Sequence, residues 1–330
     1  MKTKIFIWCS DINEDTGEGI LANKFINDLK KYNKNYKFLI KKISNKKILY
    51  LRKIFGDITD RVILPISGII YLWFSFIFKS NKKICYVNYL PLWNFLLFLF
   101  LPPGTILGPI TGGAKFLKKS INNYLIREFL FNALYKISVL ILLIRQKKLL
   151  FSTDLLKNKF NHFKKSYFNY VFKDFKFKDK NLVRHFDLIF YIRKHKNKNT
   201  NLLIKLANSL SKEHKIITIG KKINNKKIKN LGRINKKKIS RILQKSKYSF
   251  ISPENIYSLF ALDCLSNGVH VFYNKGNISL NEVKKNMTPL DYNNFNFLLK
   301  NLRKKLNKSY KRQQKIKFNE KNKFINYFKI

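Results

Sequence analysis

Short apolar runs alternate with longer, partly polar stretches along the first half of the chain. The runs have the length of buried strands, and the stretches between them have the length and mixed polarity of helices. This alternation predicts βαβ units and a parallel sheet. The predicted strands are residues 5–9, 36–42, 83–87, 105–107 and 149–152, and a helix is predicted at about residues 21–31.

The same alternation restarts after residues 158–179, a stretch that has no clean period and that we interpret as the linker. Two successive βαβ halves predict an α/β protein with two Rossmann-like domains facing across a cleft. We place these domains at residues 1–170 and 180–310. The second half is predicted to contain strands at 187–192, 215–219, 248–251 and 269–273, and helices at 200–210, 237–245 and 260–266.

Apolar stretches raise the question of a membrane. Residues 62–78 come nearest to the roughly 20 apolar residues of a spanning helix, but Pro65 and Gly68 interrupt them. A buried helix of a two-faced α/β domain has the same composition. Residues 124–148 mix apolar and basic side chains, which suits a helix lying on a membrane surface or a core helix with a basic exposed face.

The charge of the chain favours an anionic partner. The 330 residues include 68 Lys and Arg but only 18 Asp and Glu, which gives a formal net charge of +50. Nucleic acid, anionic lipid and phosphorylated small molecules are the candidate classes. Mutational bias in a gene rich in A and T is an alternative source of much of the lysine.

Cysteine and histidine spacing gives no support for a metal site or a disulfide framework. Cys9, Cys85 and Cys264 are far apart, no CxxC pair occurs, and the five histidines show neither HxxxH nor HExxH spacing. We expect reduced cysteines and a cytoplasmic protein. The N-terminus runs directly into a predicted strand, so no signal peptide is expected.

Several catalytic motifs are absent from the sequence. It contains no Walker A loop, no GxGxxG, no GxSxG and no DxD pair. A diphosphate-containing ligand would therefore be neutralised by Arg and Lys side chains and helix N-termini instead of a metal held by paired aspartates. No cofactor is expected.

Three segments of the second half resemble the retaining, group 1 (family four) glycosyltransferases with the GT-B fold. Arg193 and Lys198 follow the strand at 187–192 with the five-residue spacing of the family's Arg and Lys. Residues 230–233, Asn-Leu-Gly-Arg, resemble a second family strand, and residues 252–269 are similar to the block that carries the family's E-x7-E signature. The resemblance covers residues 185–275 and implies a last helix, within the basic residues 311–330, that packs back on the N-terminal domain.

The resemblance implies roles for residues of the donor side. Arg193 and Lys198 would neutralise the donor diphosphate, and Asp263 would hold the nucleotide ribose. Asn255 stands where the family has the carboxylate that contacts the transferred sugar, with Glu254 one place earlier. The predicted donor-binding residues of this block are Glu254, Asn255, Tyr257, Ser258 and Asp263.

The first half matches the family only through two loops, which we predict to be the acceptor side or a phosphate loop. These are Gly17, Glu18 and Gly19 after the first strand, and Thr111 and Gly112, which stand where the family often has His-Gly. The glycines could also simply shape turns.

The resemblance implies that the protein transfers a sugar from a UDP- or GDP-linked donor to a lipid-linked or polysaccharide acceptor. The transfer is expected to be metal-independent and retaining. The expected partners are the nucleotide sugar, the acceptor and an anionic membrane surface at the inner face, but not nucleic acid. Three alternatives stay open from the residues: a basic nucleic-acid-binding protein, a membrane protein with one or two spans, and a degenerate, non-catalytic GT-B protein at the membrane.

Overall fold

The computed structural model separates the chain into two compact units. The N-terminal unit contains the described residues up to 113, then 129–173, and the chain end at 323–329, and the C-terminal unit contains those from 174 to 316. The structure describes residues 3–12, 16–56, 58–79, 82–113, 129–163, 165–178, 183–193, 199–252, 256–275, 285–308, 310, 313, 316 and 323–329.

The N-terminal unit is built on a four-stranded parallel sheet in the order β2-β1-β3-β4. A two-stranded parallel sheet, β5-β6, joins it through the bridge between Ile110 and Phe151. Strands lie at all five positions predicted for this half. The strands are β1 (Lys4–Cys9), β2 (Lys37–Lys42), β3 (Lys82–Tyr86), β4 (Ile106–Leu107), β5 (Leu149–Leu150) and β6 (Ser166–Tyr167).

Helices cover both faces of this sheet. Residues Ile5 and Ile7 of β1 face a core that includes α1, whereas Phe6 and Trp8 face a second core beneath α3. This two-sided burial explains why the strand reads as a continuous apolar run. The helices of the unit are α1 (Gly17–Tyr32), α2 (Asn45–Phe55), α3 (Leu64–Phe78) with a π-helical turn before it (Thr59–Ile63), α4 (Phe95–Phe100), α5 (Phe131–Arg145) and α10 (Ile325–Phe328).

Helix α3 packs on the sheet with one face only. Leu64, Gly68 and Leu72 are buried, but the opposite face is apolar and exposed. The buried-helix interpretation of residues 62–78 therefore holds only for the face that packs on the sheet. Within the described residues, one helix, Thr59–Phe78, is long and apolar enough to cross a membrane, with a mean hydropathy of 1.8 over its window.

The chain end lies in the N-terminal unit. Phe324, Tyr327 and Phe328 are 0–2% exposed and pack around Phe25 of α1. The Asn33 side-chain amide donates to the Phe328 carbonyl over 2.7 Å. The sequence predicts a helix within residues 311–330, and the helix found in the described part of this range is the four-residue α10. Most of residues 311–322 are not among the described residues.

The C-terminal unit contains a six-stranded parallel sheet in the order β12-β11-β10-β7-β8-β9. Counted from β7, this is the 3-2-1-4-5-6 order of the Rossmann fold. Strands or helices lie at all the positions that the apolar pattern predicts for this half. Strand β9 ends where the segment 230–233 begins, and β12 and α9 are additional. The elements are β7 (Phe186–Ile192), α6 (Thr200–Leu210), β8 (Ile216–Gly220), β9 (Ile228–Asn230), α7 (Lys236–Leu243), β10 (Ser246–Phe250), α8 (Leu259–Ser266), β11 (His270–Asn274), β12 (Met287–Leu290) and α9 (Phe295–Leu306).

Candidate functional site

The sheet order of each unit has a switch point, where the chain reverses the direction in which it adds strands. In parallel α/β sheets, ligands bind beyond the carboxyl ends of the strands at this point. The switch point lies between β7 and β10 in the C-terminal unit and between β1 and β3 in the N-terminal unit. Most of the residues singled out in the sequence follow one of these strands.

Arg193 follows the last residue of β7 directly, at the carboxyl edge of the C-terminal sheet. Its side chain is exposed, and its carbonyl accepts a hydrogen bond from the Thr200 hydroxyl over 2.8 Å. Thr200 is the first residue of α6, so this bond holds the end of β7 beside the N-terminus of that helix. A cationic side chain next to a helix N-terminus is suited to an anionic ligand.

A close backbone approach brings further basic residues to the same edge. Gly220 ends β8 with φ of +96°, and a Cβ there would lie 2.2 Å from the Ile192 carbonyl oxygen. The Lys221 amide donates to that same oxygen over 2.8 Å, and the Gly220 amide donates to Gly232 over 2.9 Å. Lys221, Lys222 and Arg233 thus lie in loops that follow β8 and β9, next to the loop of Arg193.

Sequence reasoning missed these three basic residues as site candidates. Arg233 was noticed only as part of the Asn-Leu-Gly-Arg segment. Two features of the sequence could have identified them. Each residue lies just after a strand, and Gly220 and Gly232, which have positive φ, let the two loops come close.

The segment that follows β10 contains the other predicted donor residues. Tyr257 is 3% exposed, and Ser258 is the N-cap of α8, where its hydroxyl accepts from the Ala261 amide over 3.2 Å. The Ser258 hydroxyl therefore fixes the start of α8. Glu254 and Asn255, like Lys198 after β7, lie outside the described residues.

Asp263 lies in the second turn of α8 with its carboxyl partly buried. Burial raises the pKa of Asp263, while the positive charges of Lys236 and Lys178 act in the opposite direction. In the described part of the chain, no hydrogen bond or ion pair joins Asp263 to Arg193. The Asp263 carboxyl is therefore a partly buried acid under the influence of two lysine charges, and it follows the loop after β10 in sequence.

At the carboxyl edge of the N-terminal sheet, Asn88 ties the loop after β1 to the end of β3. Its side-chain amide donates to the Asp11 carbonyl over 2.6 Å, and its oxygen accepts from the Cys9 thiol over 3.2 Å. Thr16 is the N-cap of α1, because its hydroxyl accepts from the Gly19 amide over 3.0 Å and donates to the Asp11 carboxylate over 2.6 Å. These bonds fix the position of the first turn of α1, which contains Gly17, Glu18 and Gly19.

The surroundings of Glu18 disfavour the charged form of its carboxyl group. Burial and the nearby negative charge of Asp11 raise its pKa from 4.5 to about 7. Tyr89 directly follows Asn88, and the charge of Glu18 acts on its phenol. The Thr111 hydroxyl donates to the carbonyl of Leu90, the next residue, over 3.4 Å. Burial, followed by the charge of Glu18, raises the Tyr89 pKa to about 12.

The loop after β3 therefore lies within electrostatic reach of Glu18 and is bonded to Thr111, although Glu18 and Thr111 are 93 positions apart in sequence. Arg61 and Tyr135 also influence the Tyr89 phenol electrostatically. Nothing in the sequence pattern marked Tyr89 except its position after a strand. A carboxyl group whose pKa is raised to about 7 and a phenol whose pKa responds to its charge can take part in binding a hydroxylated ligand and in proton exchange with it.

The loop at residues 108–113 is built by close backbone packing. A Cβ at Gly108 would lie 2.1 Å from the Val87 carbonyl oxygen, and Gly112 has φ of +145°. Thr111 exchanges backbone hydrogen bonds with the segment at residues 90–92. The glycines allow the loop to bring Thr111 to the end of β3.

Among the residues that the structure describes, no three His, Cys, Asp or Glu side chains are grouped so that they could hold a metal ion. All three cysteines are free and buried.

Similarity to solved structures establishes the class of fold. The structure is similar to the UDP-GlcNAc 2-epimerase of Methanocaldococcus jannaschii in complex with UDP-GlcNAc and UDP, with a TM-score of 0.55 and 10% sequence identity over 99% of this chain and 98% of that chain. It is also similar to S. aureus MnaA in complex with UDP, with a TM-score of 0.55 and 9% identity over 93% and 88%.

No family model matches the sequence, and no curated protein matches it. The structural similarities cover almost the whole of each chain, and together with the two parallel sheets they show the GT-B fold with two Rossmann-like domains. The fold class predicted from the sequence is confirmed.

Proposed function

We propose that this protein is a glycosyltransferase that uses a nucleotide-sugar donor without a metal ion. The observation that carries the proposal is the basic carboxyl edge of the C-terminal unit. There, Arg193 and the N-terminus of α6 follow β7 at the switch point of a Rossmann sheet, and Lys221 follows the neighbouring strand β8. Such an edge suits a nucleoside diphosphate.

The chemistry requires preorganised positive charge. When the bond between the sugar and the diphosphate breaks, negative charge develops on the leaving nucleoside diphosphate. Arg193 offers a planar set of donors for phosphate oxygens, and the positive end of the α6 dipole adds to them. Lys198, five residues after Arg193, would supply a second cation, as in the family that the sequence resembles.

The loop after β10 and helix α8 would hold the rest of the donor. Asp263 is proposed to accept hydrogen bonds from the ribose hydroxyls, as acids do in related dinucleotide folds. Glu254 and Asn255 would contact the transferred sugar. Tyr257 and Ser258 would support this loop, since one side chain is buried and the other caps α8.

The edge of the N-terminal unit would bind the acceptor. Glu18, with its pKa near 7, can take a proton from an acceptor hydroxyl or return one near neutral pH. Tyr89 and Thr111 would hydrogen-bond a sugar. Gly17, Gly19 and Gly112 allow the backbone to approach it. The acceptor is proposed to be lipid-linked or a polysaccharide, and the transfer to be retaining.

The location proposed is the cytoplasm, at the inner face of a membrane. The net charge of +50 supports attraction to an anionic surface. The stretch predicted to attach is residues 124–148, of which the structure describes 129–148, with Lys136 and Lys147 exposed.

Binding and turnover test the proposal separately. UDP or GDP, with or without a sugar, should raise the unfolding temperature, because a ligand of the folded state stabilises it. The stabilising donor, incubated with extracted membrane lipids or polysaccharide, should give a glycosylated product with the donor's anomeric configuration. Isomerised nucleotide sugar formed without acceptor would assign an epimerase instead. Salt-dependent binding of unrelated nucleic acids, without any nucleotide stabilisation, would contradict the proposal.

A further inference from the structure

Helix α3 presents two opposite apolar faces. Leu64, Gly68 and Leu72 point into the N-terminal unit, four residues apart. On the other side, Ile66, Ile70, Phe74 and Ile77 are 49–64% exposed. A helix on the surface of a water-soluble domain normally has polar residues on its outer face. The outer face of α3 is as apolar as its inner face, so water is not the solvent that it fits.

Helix α2 also exposes most of its apolar side chains. In this 11-residue helix Ile48 is buried, whereas the four large apolar side chains Leu49, Tyr50, Ile54 and Phe55 are 46–65% exposed. Isolated helices of this length are marginal in water. The described contacts that position α2 include the ion pair between Arg52 and Asp60 at 2.8 Å. Apart from Ile48 and the half-buried Leu51, the apolar side chains of α2 are exposed.

These helices belong to one continuous surface. Helix α2 contacts the π-helical turn before α3, α3 contacts α4, and α4 contacts α5. The Trp73 indole of α3 donates to the Phe100 carbonyl of α4 over 2.7 Å, and the Arg145 guanidinium of α5 donates to the Leu99 and Leu101 carbonyls. Helix α5 adds Leu140 and Ile144, which are 59% and 76% exposed. We call the exposed apolar side chains of α2 to α5 the apolar helical face.

Positive charge accompanies the apolar helical face. Lys46, Lys47 and Lys53 of α2 and Lys79 after α3 are exposed, and residues 129–148 contain no acid. On α5 a groove of about 290 Å³ is lined by Val139, Leu140 and Leu143, with Lys136 and Lys159 beside them. Apolar side chains bordered by lysines match acyl chains bordered by anionic headgroups.

The packing of α3 argues against a membrane span. A Cβ at Gly68 would lie 2.5 Å from the Trp8 indole nitrogen and 2.7 Å from the Tyr86 ring. This contact places α3 directly on strands β1 and β3. A helix held against a sheet in this way lies along the surface of its unit and exposes only one side to another phase.

We propose that the apolar helical face inserts into one leaflet of a bilayer containing anionic lipid, with α2 and α3 lying in its interfacial region. This extends the proposed location at a membrane, and it changes the mode of attachment from charge attraction through residues 124–148 to burial of α2 and α3. Its test needs neither a donor sugar nor turnover, so its failure is distinguishable from failure of the glycosyltransferase proposal.

The first test is flotation of the full chain with vesicles of phosphatidylcholine and phosphatidylglycerol, followed by a wash in about 1 M salt, where the Debye length is about 3 Å. Protein held by hydrocarbon contact should stay on the vesicles. The variant Ile66→Gln/Ile70→Gln/Phe74→Gln should bind at least about 100-fold more weakly, because it removes three exposed apolar side chains. The control Val183→Gln/Phe297→Gln, at exposed apolar positions of the C-terminal unit, should bind like the wild type.

The second test measures which part of the protein lies next to the acyl chains, and it does not depend on a loss of binding. The native cysteines are buried, so a dye should label an introduced exposed cysteine selectively. Nitroxide groups on the acyl chains should quench a dye on Ile70→Cys and leave a dye on Phe297→Cys unquenched. Complete release by salt, equal quenching at both sites, or a dimer that the triple Gln variant abolishes in the absence of vesicle binding would each overturn the proposal.

Discussion

At the scale of single residues, Arg193 is the position on which the donor site depends most. It follows β7 at the switch point, and its carbonyl is bonded to the first residue of α6. Its guanidinium is thus carried by rigid elements and free to meet an anionic ligand. The neighbouring Lys221 and Arg233 show that the whole edge is basic, so a single substitution weakens the site without reversing its charge.

Replacing Arg193 by Ala is expected to lower sugar transfer by roughly 10²-fold, as removal of one charge-stabilising donor does elsewhere. Steady-state kinetics with saturating donor measure the effect. The control is Arg241→Ala, which removes an exposed arginine from the last turn of α7. Equal rates for both variants and the wild type would remove Arg193 from the site.

Glu18 makes the stability of the N-terminal unit depend on pH. Its pKa is raised from 4.5 to about 7 in the folded protein, so between these values the unfolded chain has lost the proton and the folded protein keeps it. The free energy of unfolding therefore falls as pH rises through this window. Below about pH 4 both states are protonated and Glu18 contributes nothing.

Replacing Glu18 by Gln should raise the free energy of unfolding by about 1–2 kcal/mol at pH 8 and leave it unchanged near pH 4. Urea unfolding followed by tryptophan fluorescence measures this, because Trp8, Trp73 and Trp93 all lie in the N-terminal unit. Glu213→Gln, in an exposed ion pair with Arg303, is the control and should not stabilise at either pH. A gain of the same size at both pH values would argue against a raised pKa.

At the scale of elements, a few glycines decide how closely strands and loops approach. Gly220 ends β8 against the Ile192 carbonyl, and Gly68 seats α3 on Trp8. Both contacts exclude a side chain larger than hydrogen. The first brings the loops of Arg193 and Lys221 together, and the second orients the apolar outer face of α3 away from the sheet.

Gly220→Ala should destabilise the C-terminal unit by about 3 kcal/mol or more, since it combines a positive φ with a Cβ 2.2 Å from a backbone oxygen. The matched substitution Gly232→Ala keeps the positive φ but meets only the end of the Lys222 side chain at 3.5 Å, so about 1 kcal/mol is expected. Hydrogen exchange of the β7 and β8 amides measures the loss of stability caused by each of the two substitutions. Similar losses for both would show that the close approach is not needed.

At the scale of the whole molecule, the last residues of the chain complete the first unit. Phe324, Tyr327 and Phe328 fill a core that already contains Phe25 and Tyr170, with ring centroids of Phe25 and Phe328 5.3 Å apart. The N-terminal unit is therefore finished only after the C-terminal unit has been synthesised. Truncation near the chain end should damage the beginning of the fold.

Phe328→Ala is expected to destabilise the N-terminal unit by about 3–5 kcal/mol, the usual cost of deleting a buried phenyl ring. Urea unfolding followed by tryptophan fluorescence measures this loss of stability. Phe297→Ala, at a position that is 55% exposed, should change the free energy of unfolding by less than about 0.5 kcal/mol. An unchanged midpoint for Phe328→Ala would mean that the chain end does not support this core.

The sequence by itself determined the alternation of strands and helices, because the apolar period of each segment depends only on local geometry. Strands such as residues 187–192 and helices such as 200–210 were predictable to within one residue. The resemblance to a GT-B family followed from short motifs at strand ends, and it led to the correct class of fold. The positions of Arg193, Glu18 and Thr111 after strands were likewise readable from sequence.

Only the tertiary structure decided which of these positions meet. Strand order depends on crossovers that no local pattern encodes. The pairing of Thr111 with the segment at residues 90–92, and the approach of the Lys221 and Arg233 loops to Arg193, therefore could not be predicted. The same holds for α3, whose sequence is apolar all round. Burial is a property of what packs against a side chain, and the sheet covers only one face of that helix.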